Sequence, residues 1–154
     1  MAHIEMRSVQ QGLDYRRALR QNSVMYRATT HEIQVNVEPS FMSDRSDPAR
    51  SRFFWAYTVT IVNNGSHTVQ LVSRHWRITD GQGKLEEVRG AGVVGEQPIL
   101  KPGEKFRYTS GCPLTTASGF MSGAYRMVDE EGRAFDVDIP TFSLDSPQAR
   151  RVLN

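Results

Sequence analysis

Residues 90–95 read Gly-Ala-Gly-Val-Val-Gly. This G-x-G-x-x-G spacing carries pyrophosphate in dinucleotide-binding folds, where a helix begins on the glycines and turns its N-terminus to the anion. Gly90, Gly92 and Gly95 would allow close backbone approach. Arg89 adjoins them, and Arg74 lies on a preceding strand segment. Arginine can grip a phosphate with two parallel N–H donors, and successive backbone N–H groups can form an anion-binding nest without any helix. The local chemistry also argues against a nucleotide fold. Pro98 and Pro102 each remove a backbone donor and disfavour a helical residue before them, so no dinucleotide-type helix fits after Gly95. Gly95 is followed by Glu96 and Gln97, not by the lysine and hydroxyl residue of a P-loop. The simpler reading is a tight positive-φ crossover between strands, with Arg74, Arg89, Gly90, Gly92 and Gly95 as the anion-binding candidate beside it.

Other chemistry is sparse. His3, His31, His67 and His75 are scattered, without H-E-x-x-H spacing and without paired cysteines, so no metal site is expected. Asp129-Glu130-Glu131 offers oxygen ligands of the kind magnesium favours, but three acids at a hairpin tip read first as a solvated turn. Cys112 is the sole cysteine. It has no base at a recognisable spacing, allows no internal disulfide and is compatible with a reducing cytoplasm. His75 reads as a packed or hydrogen-bonded strand histidine. No catalytic residue and no cofactor is assigned.

The elements that would hold these residues are strands. From His31, Ile33, Val35 and Val37 alternate with polar residues, and Pro39 is expected to weaken further pairing. Residues 43–51 form a polar loop. Phe53 to Val62 is the strongest strand; both of its faces are partly apolar, which predicts a central position with Trp55 and Tyr57 buried. Asn63-Asn64-Gly65-Ser66 suits a hairpin turn. Thr68 to Thr79 has mixed parity: Arg74 shares a face with Val72, Trp76 and Ile78, so it needs a partner or a bulge that re-aims it. Asp80 to Gly83 turns the chain into Lys84–Val88. Pro102-Gly103 suits a type II turn, and Phe106 and Tyr108 open a strand that Ser110-Gly111-Cys112-Pro113 is expected to break. Phe120 to Val128, a turn at Asp129 to Gly132, and the alternation of Phe135, Val137 and Ile139 follow, with Pro140 closing the last strand. About seven or eight strands and no core helix predict an all-β antiparallel sandwich over residues 24–144. Residues 1–23 are expected to be a poorly ordered leader or a short helix, and 145–154 a polar tail. The cysteine pair of antibody domains is absent, so the sandwich is closer to fibronectin type III than to an antibody domain.

A 154-residue, 17.4 kDa chain fits one domain. Net charge is +2; five arginines against Glu5 and Asp14 put +3 on residues 1–30, leaving −1 on the rest. That balance argues against nucleic acid as a partner. No apolar run approaches the roughly 20 residues of a membrane helix, and a cytoplasmic location without membrane insertion is expected.

The segment Val88 to Pro98 resembles the signature of the bacterial ApaG family. The similarity extends to Ser73-Arg74-His75-Trp76, Phe54-Trp55-Ala56-Tyr57, Leu100-Lys101-Pro102-Gly103-Glu104, Tyr108 to Leu114 and Ile139-Pro140-Thr141-Phe142, and spans about Met25 to Leu144. The resemblance implies an immunoglobulin- or fibronectin type III-like sandwich. The family's conventional name links it to cobalt and magnesium efflux, with no biochemical activity attached. Related domains are fused to eukaryotic F-box and polymerase-interacting proteins, which implies a non-catalytic protein-interaction module. The expected partner is another protein, with a homodimer left open. The competing function is binding or hydrolysis of a phosphorylated small molecule at the glycine loop.

Overall fold

The computed structural model describes residues 4–5, 24–147 and 149. Among the described residues ten strands run in order: β1 (Ile4–Glu5), β2 (Tyr26–Thr30), β3 (Ile33–Phe41), β4 (Phe53–Asn63), β5 (Val69–Asp80), β6 (Leu85–Ala91), β7 (Ile99–Leu100), β8 (Lys105–Leu114), β9 (Ser118–Asp129) and β10 (Ala134–Asp145). Two short 3-10 turns, Ser43–Arg45 and Pro48–Arg50, lie between β3 and β4. One sheet has the order β1-β8-β4-β3-β2 and the other β10-β9-β5-β6, with β7 also on β5. All pairings are antiparallel, and the two sheets form a sandwich.

β4 is central, as its two apolar faces require. Trp55, Tyr57, Val59 and Ile61 point into the core, while Phe54, Ala56 and Thr58 on the other face are buried as well. The sheets meet on aromatic contacts: Tyr57 and Trp76 lie 5.2 Å apart edge to face, and Phe142 sits 5.8 Å from Tyr57 and 6.0 Å from Trp76.

Several breaks expected from sequence are crossed by continuous strands. β8 runs through Ser110 to Pro113, burying Ser110 and Cys112. Gly111 is no breaker there. A Cβ on it would sit 2.4 Å from the Phe54 ring, so the glycine gives that ring its place on the sheet's outer face. β3 continues through Pro39 because β2 ends opposite Val37, leaving β3 paired with β4 alone at that point; proline is tolerated at such edge positions. β10 continues past Pro140 through a bulge between Ile139 and Phe142, which changes its inward residues from Val137 and Ile139 to Phe142 and Leu144. β2 was not expected, and within the leader Ile4–Glu5 forms a strand against Ser110–Gly111. The short helix offered as one reading of the leader would lie outside the described residues, as does most of the expected tail.

Candidate functional site

The glycine loop is an excursion from a sheet edge. β6 and β7 pair with the same side of β5, and residues 92–98 leave the ladder between them. β5 has its own irregularity at that point, with a register shift between Leu71 and Ser73. The bulged Val72 carbonyl accepts the Gly92 N–H and the Gln97 Nε2, each at 2.9 Å. Leu71 donates to the Pro98 carbonyl at 3.0 Å, and Gln70 Nε2 to the Gln97 carbonyl at 3.1 Å. The loop is thus sewn to the bulge.

At the tip, Val93 and Glu96 exchange backbone hydrogen bonds at 2.8 and 2.9 Å around Val94 and Gly95. Both central residues are left-handed, at φ 44° and 79°, as in a type I′ turn. Such a φ is strained for a β-branched residue. Val93 is fully buried and Val94 packs on the core, so burial opposes the strain. Gly92 has φ 62°, and a Cβ there would lie 2.2 Å from the Glu96 carbonyl oxygen. Gly90 serves a different purpose from the one expected. It sits in β6 without a positive φ, and its missing side chain is replaced by the Arg74 guanidinium, whose Nη1 would be 2.9 Å from a Cβ.

Arg74 reaches this place because the bulge reverses the parity of β5. Leu71 is inward before the bulge and Trp76 and Ile78 after it, so Arg74 shares the inward side. Arg74 Nη1 donates to the Ala91 carbonyl at 3.0 Å and the Gly92 carbonyl at 2.9 Å. Across the sandwich the hydroxyls of Tyr108 and Tyr125 bond to each other. Burial, then the adjoining Tyr108, holds the Tyr125 phenol well above its ordinary range.

Arg89 is not part of this arrangement. It is exposed and pairs across the strands with His75, on the face opposite the Arg74–Gly90 pair. There Glu87 contacts His75 Nε2 at 3.1 Å and Arg77 Nε at 3.4 Å. The His75 hydrogen bond is the main cause of a lowered Glu87 pKa. The fold therefore brings Arg74, Gly90, Gly92 and Gly95 together and sends Arg89 to the other face.

A second region was invisible in sequence. The β2–β3, β4–β5 and β9–β10 turns line an open cavity of about 560 Å³, bounded by His31, Glu32, His67, Asp129, Arg133 and Phe135 among others. His31 and Glu32 are both left-handed, at φ 49° and 66°, and the His31 ring stands edge-on to Phe135 at 5.3 Å. Buried Asn63 anchors the region: its Nδ2 donates to the His67 and Leu100 carbonyls at 2.8 and 2.9 Å, and its Oδ1 accepts the Gly65 N–H at 2.9 Å. Asp129 accepts the Glu131 and Arg133 N–H groups, and the bond from Arg133 leads in holding its carboxyl below the ordinary range. No group of three or more His, Cys, Asp or Glu side chains among the described residues is placed to hold a metal ion. Cys112 is buried, and desolvation pushes its thiol up to about 12.

The ApaG domain profile matches residues 43–129, more than half of the chain and all of the glycine loop. The chain belongs to the ApaG family. It is 66% identical over 130 residues to Protein ApaG of Methylocella silvestris and 63% identical to that of Afipia carboxidovorans; each match covers 84% of this chain and the whole of the relative. The crystal structure of a Bordetella pertussis protein assigned as ApaA is similar too, at 50% identity and a TM-score of 0.74, covering 79% of this chain and 98% of that one. The Val72 bulge, Arg74 and the glycine loop all lie inside the matched ApaG domain.

Proposed function

We propose that this ApaG-family chain is a non-catalytic protein-interaction module of the cytoplasm, linked to cobalt and magnesium homeostasis through the proteins it contacts. The observation that carries this reading is where the motif's hydrogen-bonding groups go. The N–H groups of Gly92, Val93 and Glu96 all bond to backbone carbonyls of the loop or of β5. Arg74 Nη1 bonds to the Ala91 and Gly92 carbonyls. An anion arriving here would find these four donors already in use and would meet the negative charge of Glu96, with no helix N-terminus behind them. Rigid loops on a sandwich are a common platform for protein recognition. No helix among the described residues is long and apolar enough to cross a membrane.

Two measurements test the proposal together. Calorimetry with ATP and with a dinucleoside polyphosphate, with and without magnesium, is expected to show neither micromolar binding nor turnover. Crosslinking in cells followed by purification is expected to return a specific protein partner. Micromolar binding or turnover abolished by Arg74→Ala in a still-folded protein would overturn the module reading in favour of a phosphorylated small molecule.

A further inference from the structure

β6 is an edge strand: among the described residues, β5 is its only neighbour in the sheet. The directions of its backbone groups follow from its two ends. The Lys84 carbonyl accepts the Asp80 N–H at 3.0 Å, and the Gly92 N–H donates to the Val72 carbonyl at 2.9 Å. Both residues therefore face β5. Strand alternation then turns Glu86, Val88 and Gly90 towards β5 as well, and directs the N–H and C=O groups of Leu85, Glu87, Arg89 and Ala91 outward. Such a row is a template for another strand.

The side chains of β6 indicate which strand fits. Two copies of one sheet edge that pair antiparallel about a two-fold axis place residues of the same face opposite each other, so the axis must pass through a residue. Centring on Glu87 sets two carboxylates face to face, and centring on Arg89 does the same with two guanidinium groups. Centring on Val88 sets Glu87 opposite Arg89 of the second copy, twice over by symmetry. It also sets Glu86 opposite Gly90, and Leu85, which is 53% exposed, opposite Ala91. Of these three registers, only the one through Val88 replaces repulsion with two complementary charge pairs. Glu87 and Arg89 are also residues whose backbone groups point outward, so the same register closes hydrogen-bonded rings at both pairs.

We infer that the outer edge of β6 is a self-association site, at which two copies of this chain join antiparallel about Val88. The resulting sheet runs β10-β9-β5-β6 and, across the axis, β6-β5-β9-β10. The contact is short, seven residues from each copy, and smaller than a stable dimer interface. Association is reversible, in the micromolar to millimolar range, and weakens as salt screens the two pairs. This inference does not depend on the identity of any other partner.

Charge exchange tests it on the full chain. Sedimentation velocity across that concentration range is expected to show a monomer–dimer equilibrium. Glu87→Arg leaves arginine at both positions, and Arg89→Glu leaves glutamate at both, so each variant alone is expected to be monomeric. Mixing the two variants restores every pair and is expected to bring the dimer back, as is the double exchange within one chain. Circular dichroism and a melting curve on each variant establish that it is folded. A wild-type chain that stays monomeric at millimolar concentration overturns the inference, and so does a dimer that neither reversal weakens. Two folded single variants that fail to associate when mixed also overturn it.

Discussion

The glycine loop and the His31–Glu32 turn bend the chain in the same way with opposite residues. Each places two successive residues in the left-handed region, Val94 and Gly95 in one, His31 and Glu32 in the other. In the loop, the bend is built against the rest of the fold. Val93 fills the core, Gly92 has no room for a methyl group, and the polar groups bond inward. At the other turn, His31 and Glu32 are exposed on the rim of an open cavity. Positive φ alone therefore does not identify a demanding site. Whether surrounding atoms leave room for a side chain separates the two regions, and substitutions should separate them too.

The largest difference is expected between two glycines. At Gly92, alanine combines left-handed strain with a Cβ 2.2 Å from the Glu96 carbonyl oxygen, a backbone atom that cannot swing away. We expect a loss of about 3 kcal/mol or more. At Gly65 in the cavity wall, the nearest atoms to a Cβ are the Glu32 Oε2 at 3.1 Å and the Asn63 Oδ1 at 3.2 Å, and no positive φ is involved. Alanine there should cost less than about 1 kcal/mol. Urea denaturation of both variants checks this, and similar losses would dissolve the distinction.

Asn63 sharpens the comparison from the other direction, because the open region has one closed anchor. Asn63→Ala removes three hydrogen bonds from a fully buried position. A loss of about 2–3 kcal/mol is expected, and Asn63→Asp should recover none of it, because a buried carboxylate oxygen would face the His67 and Leu100 carbonyls where the amide donated. Equal stability of Asn63→Ala and wild type in urea would show that the turn end has no such anchor.

The two regions should also respond to pH in opposite senses. Tyr125, beside the loop, has a folded pKa above its ordinary value of 10.0, so the fold favours the protonated phenol. Its contribution is complete below about pH 10 and declines as pH rises beyond that. Asp129, in the cavity wall, has a folded pKa below its ordinary 3.8, so its contribution is present above that value and is lost as pH falls through the folded pKa. Melting curves from pH 2 to 11 are expected to show that Tyr125→Phe flattens the alkaline limb and Asp129→Asn the acid limb. Crossed effects, with either variant acting on the other limb, would contradict these assignments.

The sequence made the sandwich legible because most strands carry their own period. Ile33, Val35 and Val37 alternate, and Phe53 to Val62 is apolar enough on both faces to require a central position. Arg74 shared parity with Trp76 and needed a partner or a re-aiming bulge; it keeps the inward side and finds its partners in the Ala91 and Gly92 carbonyls, while the bulge shifts Val72 relative to Trp76. The failures have local causes. His-Glu carries no hairpin signature, so β2 on its far side went unseen. Gly111 and Pro140 looked like breaks, but one makes room for a ring and the other sits in a bulge, and both facts belong to neighbouring strands. For the candidate site, Arg74 and the glycines were legible by position. The opposite placement of Arg89 was not, because facing depends on register. His31 and His67 looked scattered because three separate turns bring them to one rim.

The smallest effect concerns the two strained side chains. Glu32→Gly relieves the left-handed penalty at an exposed residue and gives back some of that gain through a freer unfolded chain. A net stabilisation of about 0.5 kcal/mol or less is expected. Val94→Gly relieves a larger penalty, since a β-branched residue is less suited to φ 44°. It also removes a half-buried side chain that packs on the core. Losing those methyl groups costs about 1–2 kcal/mol, and the added chain freedom costs about 0.5–1 kcal/mol more. The sum exceeds the strain relieved, so Val94→Gly should destabilise slightly where Glu32→Gly stabilises. The comparison rests on the difference in sign, which parallel urea titrations of the two variants can resolve if the slopes are unchanged. If Val94→Gly proved the more stabilising of the two, packing would not be what holds Val94 in its strained conformation. The loop tip would then be as loosely constrained as the His31–Glu32 turn.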